Sequence, residues 1–195
     1  MEKFNKLTDI DVRNSVVGTL ILPKCPLVSL YISGSLLTQL NLENQELLTS
    51  VDLTNCSKIT DIKINTCSAI ETISGVNGLN NLKKIAIFGT SQKEMTIESC
   101  INLEDVQLSI QGLETVIIKN CNKLKSVNLA RCKNLKTIEI YDCKTFNQLT
   151  LSPLSSGDNW PANLTKLNLR DTIITNITYG TEVKSNLDLS PFINL

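Results

Sequence analysis

One nine-residue pattern, returning at closely spaced intervals along almost the entire chain, constrains its folding more than any other feature. It is clearest between Leu113 and Cys143, where LETVIIKNC, LKSVNLARC and LKTIEIYDC follow one another. Each reads L-x-x-L-x-L-x-x-C, with Val or Ile standing in for Leu. Extended both ways, the first position falls at Leu7, Val17, Leu27, Leu37, Leu48, Ile59, Ile70, Leu82 and the polar Gln92. It continues at Leu103, Leu113, Leu124, Leu135, Phe146, Leu164, Ile174, the polar Lys184 and finally Leu195. A single longer gap, between Phe146 and Leu164, breaks the spacing.

Within a unit the fourth and sixth residues are apolar and the fifth is mostly polar, which is the period of a short strand with one face in a core. No stretch sustains a helical period, so few helices are expected. The units also alternate. In every second one, residues eight and nine read Asn14-Ser15, Gly34-Ser35, Asn55-Cys56, Asn77-Gly78, Ser99-Cys100, Asn120-Cys121, Asp142-Cys143 and Asp171-Thr172. The intervening units, such as Asn44-Gln45, Ile110-Gln111 and Arg131-Cys132, are irregular. Two units therefore make one repeat of roughly twenty to twenty-two residues, a coil with two strands and a bend after each. A three-sided coil would mix the two sets along each face, so the alternation argues against it.

All seven cysteines occupy the ninth position, where other units place Ser, Gly or Thr. Small side chains there can turn inward and bond a backbone group at the bend, so the thiols are expected to be free and buried. An odd cysteine count fits no disulfide framework, and metal ligation would want C-x-x-C pairs or histidines, neither of which exists. The lack of histidine also removes the commonest general base. With no glycine-rich phosphate loop either, the expectation is a chain that is not an enzyme and needs no cofactor. The 19 basic and 19 acidic residues leave no net field to attract nucleic acid. No apolar run is long enough for membrane insertion.

The doubled unit, L-x-x-L-x-L-x-x-N/C followed by a second short arm, resembles the leucine-rich repeat family over residues 7 to 195. It is most similar to the short bacterial repeats of the internalin-like and BspA-like groups, above all at LTKLNLRDTIITNI (Leu164 to Ile177). The fold this implies is a leucine-rich-repeat-like solenoid, rich in β structure. Because the second arm repeats L-x-x-L-x-L where larger family members carry a helix, the stack should be flat and two-sided. The resemblance implies protein–protein or ligand recognition along a strand face, and no catalytic residues; the expected role is a recognition or scaffold module with a protein or glycan ligand.

Outward positions five and seven of the Asn/Asp-bearing units are ordinary solvated residues until the C-terminal coils. There Ile117, Lys119, Tyr141 and Arg170 fall on neighbouring coils, and a tyrosine between two cations beside an exposed isoleucine has the composition of a partner-binding patch. The other strand face offers Ile21, Ala86 and Phe88. The long gap holds Ser155-Ser156-Gly157-Asp158-Asn159-Trp160-Pro161, a loop leaving the stack at about residues 155–162. It carries the sole tryptophan, Trp160, which is placed at the margin of the patch. With Leu7 so near the start and Leu195 opening an unfinished unit, residues 1–195 read as one solenoid within a longer protein, its location open. Neighbouring chains covering the ends, as in a virion, tail or cell envelope, would make it a structural component instead.

Overall fold

An arm with two inward side chains has no core of its own. It must bury them against the opposite arm and against the coils above and below. The computed structural model, which describes residues 6–22, 25–151, 163–179 and 182–184, is a β-solenoid with no helix among those residues. Its N-terminal half holds β1 (Asp9–Asp11), β2 (Ser29–Tyr31), β3 (Gln39–Glu43), β4 (Ser50–Asp52), β5 (Asp61–Asn65), β6 (Thr72–Ser74), β7 (Lys84–Phe88) and β8 (Glu94–Glu98). Its C-terminal half holds β9 (Asp105–Ser109), β10 (Thr115–Lys119), β11 (Ser126–Asn128), β12 (Thr137–Tyr141), β13 (Gln148–Leu151), β14 (Lys166–Asn168), β15 (Asn176–Tyr179) and β16 (Glu182–Lys184).

Alternate strands pair, so each coil places one arm on each of two faces. The second face is one eight-stranded sheet running from β3 through β5, β7, β9, β11, β13 and β15 to β16. The first face is two four-stranded sheets, β1-β2-β4-β6 and β8-β10-β12-β14. Register links equivalent template positions: Val116 lies opposite Ile138 and Val106 opposite Val127. Ile138 lies opposite Leu167 and Leu149 opposite Ile177, so the template phase is the same on both sides of the long gap; the loop expected at about residues 155–162 lies outside the described residues. Positions four and six face a single core in which Val116, Ile118, Val127, Leu129, Ile138 and Ile140 have no solvent exposure.

The bends explain the Asn/Asp preference. Position eight adopts the left-handed backbone conformation, with φ of 51° at Asn14, 61° at Asn55, 56° at Asn120, 52° at Asp142 and 53° at Asp171. Asn and Asp tolerate that conformation best among residues with a Cβ. The other arm makes the same bend with Asn44, Thr66, Gly89 and Arg131, a set of mixed tolerance.

Behind each bend the ninth residue turns inward. Cys56 Sγ donates to Ile32 O of the preceding coil at 3.2 Å, Cys100 to Val76 O at 3.2 Å and Cys132 to Leu108 O at 3.4 Å. Ser15 and Thr172 spend their hydroxyls on carbonyls within their own bend. All seven cysteines are free; six are buried and Cys25, near the N-terminal end of its column, is only partly so. The hydrogen-bonded thiols of Cys100 and Cys143 on either side of Cys121, with burial added, push that thiol's pKa up. Burial pushes Cys132 up to about 12.

The template slips in two places. Gly75, at φ 72°, is an extra residue, and a Cβ there would collide with the Thr54 backbone of the coil below. It moves the rest of its unit along by one position: Val76, expected outward at position seven, is buried, Gly78 takes the left-handed bend and Leu79 stands in the cysteine column. Conversely Ile110, expected at the bend, is fully buried and fills the ninth place itself, receiving an amide bond at Leu113 as Cys121 does from Leu124. Three further expectations change. Ala86 is buried, because its methyl group sits low between Lys63 and Gln107, its partners on β5 and β9. Gln92, polar in a core position, is buried with its Nε2 3.5 Å from Met95 Sδ and its Oε1 unpartnered. Finally β16 runs antiparallel to β15, with Glu182 opposite Tyr179, so this last described strand turns back where the template would begin another parallel arm.

Candidate functional site

The first face carries its side chains on a ladder whose backbone positions are fixed by hydrogen bonds on both sides. Between β10 and β12, Ile117 lies opposite Glu139 and Lys119 opposite Tyr141. Arg170 follows β14, where its carbonyl accepts the Asp142 amide at 3.1 Å. That rung brings the guanidinium over the tyrosine, Cζ 5.4 Å from the ring centroid, a cation–π distance. The structure therefore brings together four of the five residues singled out in the sequence: Ile117, Lys119 and Tyr141 half-buried side by side, and Arg170 exposed above them. Trp160 lies outside the described residues.

The two cations are already engaged. Lys119 Nζ is 3.1 Å from Glu98, and the Glu98 bond raises the lysine pKa. Arg170 reaches Asp142 at 3.3 Å and Asp171 at 3.1 Å. Beside them Lys166 binds Glu139 at 2.6 Å, which lowers the pKa of that carboxyl. The patch is thus a held platform of one aromatic face, one guanidinium plane and one aliphatic edge, with each cation matched by at least one carboxylate. Exposed ion pairs of this sort contribute little stability, and their larger effect is to fix where the long side chains lie.

A second stack of the same kind escaped the sequence reading. At the opposite end of this face Arg13 Cζ lies 4.8 Å over the Tyr31 ring, and Arg13 is bound to Asp11 at 2.6 Å. The signal was present: an arginine at position seven and a tyrosine at position five of the next coil, the diagonal along which a guanidinium reaches a ring. On the second face, Phe88 is partly buried at the edge of a depression of about 180 Å³ lined by Gln107, Asn128 and Ala130. Ile21 is 86% exposed. Among the described residues no group of three or more His, Cys, Asp or Glu side chains could hold a metal ion.

No family model matches the sequence, and no curated protein matches it. Among solved structures, the chain is similar to the functional domain of InlJ from Listeria monocytogenes, a structure that includes a cysteine ladder. Identity is 15% and the TM-score 0.36, over 98% of this chain and 52% of that one. The chain therefore spans about half the length of that neighbour.

Proposed function

We propose that this chain is a non-catalytic recognition module that binds a protein or surface-glycan ligand through the C-terminal half of its first face. The observation that carries the reading is the Arg170–Tyr141 stack set beside Lys119 and Ile117 on a backbone ladder. Aromatic and arginine side chains supply most of the binding energy at recognition surfaces, and they do so best when their conformations are fixed beforehand. Here the rung at Asp142 and the carboxylates around Arg170 do the fixing. A catalytic role has no comparable support, since no histidine exists in the chain to activate a nucleophile, and burial pushes the Cys132 thiol up.

The test begins by screening the chain against arrayed glycans and surface-protein ectodomains. The ligand found is then titrated against a Tyr141→Ala/Arg170→Ala variant. Both side chains face outward, so the variant should melt with the parent while binding weakens by about 2 kcal/mol or more. Unchanged affinity, or a footprint around Phe88, would overturn the assignment of this face.

A further inference from the structure

The second face begins one coil later than the first. Residues 17–22 hold the place of its first strand, with Leu20 and Leu22 at inward template positions and packed, half-buried, on the core. Yet they form no ladder with β3. The last rung between the two is Thr38 N to Gly18 O at 3.0 Å. Successive residues of a strand aim their amides at opposite neighbours. Asn44 N donates to Asn65 O on the β5 side at 3.0 Å, so the amides of Asn41 and Glu43 point the other way. Among the described residues neither amide has a backbone partner.

What those amides face is a cleft of about 480 Å³, lined on one side by Leu20, Leu22 and Cys25 and on the other by Asn41, Glu43 and Gln45. Gln45 is an independent sign of an unmet need. It is 4% exposed, its Nε2 donates to Glu43 O at 3.2 Å, and its Oε1 has no partner. The carboxylate in the cleft, Glu43, is neutralised by Lys63 at 2.7 Å. A site without net charge, with unpaired strand amides along one wall and apolar side chains along the other, matches the chemistry of an extended peptide. Its carbonyls would accept from the amides of Asn41 and Glu43.

We propose that this cleft receives an extended segment of a partner protein, without net charge, added as a strand alongside β3. The site lies on the second face and stands independently of the patch around Tyr141. Its test uses the full chain and a fluorescein-labelled peptide with the sequence of residues 59–66, the stretch that already pairs with the opposite edge of β3. In the free chain, the amides of Asn41 and Glu43 should exchange at least about tenfold faster than those of Leu40 and Leu42, which point toward β5. Saturable binding of the peptide should protect both. An Asn41→Pro variant, which removes a donor aimed into the cleft and none aimed at β5, should lose that binding. So should the same peptide N-methylated at alternate residues, a control that stands even if the variant does not fold. Protection of Asn41 and Glu43 in the free monomer would mean that residues 19–22 close the edge themselves, and protection that tracks dimer formation would assign the cleft to a second copy. Either result overturns the proposal, as does equal binding of the methylated peptide or none at all.

Discussion

The two faces of this solenoid are built from the same template, yet one is continuous and the other is cut in two. On the second face every described strand from β3 to β15 finds its parallel neighbour. On the first, β6 and β8 lie on successive coils without pairing. The coils themselves stay joined at the ends of the break: Ser91 N donates to Ile70 O at 2.8 Å and Gly78 N to Glu98 O at 2.8 Å. Between those bonds the arms diverge around a slot lined by Glu71, Thr72, Ile73, Ser91, Lys93 and Glu94. Asn77 Oδ1 steps in to accept the Glu98 amide at 2.9 Å. The cause is local. One additional residue on one arm lifts that arm from its neighbour, while the opposite arm of the same coil pairs as usual. A coil is therefore tolerant in its bends and arms one at a time, provided the shared core is still filled.

The largest effects should come from testing whether that core is indeed shared. Val127→Lys on the second face or Ile138→Lys on the first strands a charge without a partner, and each should cost about 3–5 kcal/mol in urea unfolding. Asn128→Lys, one residue along the same strand, should cost under about 0.5 kcal/mol. A markedly smaller loss at Ile138 than at Val127 would show that the interrupted face yields on its own.

Next in size is the break itself. Gly75→Ala forces a Cβ onto the Thr54 backbone at φ 72° and should cost about 1–3 kcal/mol. Deleting Gly75 should do the opposite for the ladder. It returns Val76 to position six directly, with Gly78 at eight and Leu79 at nine, and hydrogen exchange at Ile73 and Thr96 should slow as β6 and β8 pair. If exchange there is unchanged in the deletion variant, the inserted glycine is not what divides the face.

A smaller effect separates the two sets of bends. Thr66 holds φ 54° with a β-branched side chain, so Thr66→Gly should raise stability by about 1 kcal/mol. Asn120→Gly, on the arm whose bends use tolerant residues, should change it by no more than a few tenths.

The thiols give the gentlest comparison. With a disulfide exchange reagent Cys25 should react first, and the six buried cysteines should wait for denaturant. Cys132 has its pKa raised in the folded state to about 12, so its contribution is complete below the pH at which an unfolded thiol titrates, about 8.5, and is lost as pH climbs toward 12. Urea midpoints should therefore hold steady from pH 6 to about 8 and fall in alkali. A Cys132→Ala variant should show a shallower fall.

The two-strand coil, its phase and its inward residues were legible in the sequence because the apolar positions recur on both arms and the Asn/Asp bends mark only one. The slips at Val76 and Ile110 were not. A spacing that already varies from unit to unit absorbs one added or missing residue without losing the next apolar position, so the template reads on while the side chains in between trade faces. ISGVNG did hold the clue, two glycines where other units have at most one at the bend. At the patch, position and composition brought Ile117, Lys119, Tyr141 and Arg170 to one surface. Their pairing with Glu98, Asp142 and Asp171 depends on side-chain reach across rungs, and the pattern does not encode it.

The slot between β6 and β8 has a mechanical meaning. Hydrogen bonds between coils point along the axis of the stack, so tension applied at its two ends loads them in series and coils separate in turn. From β2 to β15 every other coil junction shares its load between two ladders. At this junction the second face carries nearly all of it, through the β7–β9 pair, with the first face contributing its few end bonds. Stretched in an optical trap, the interior of the rod should yield first near residue 75, and a single glycine sets where a pulled chain begins to come undone.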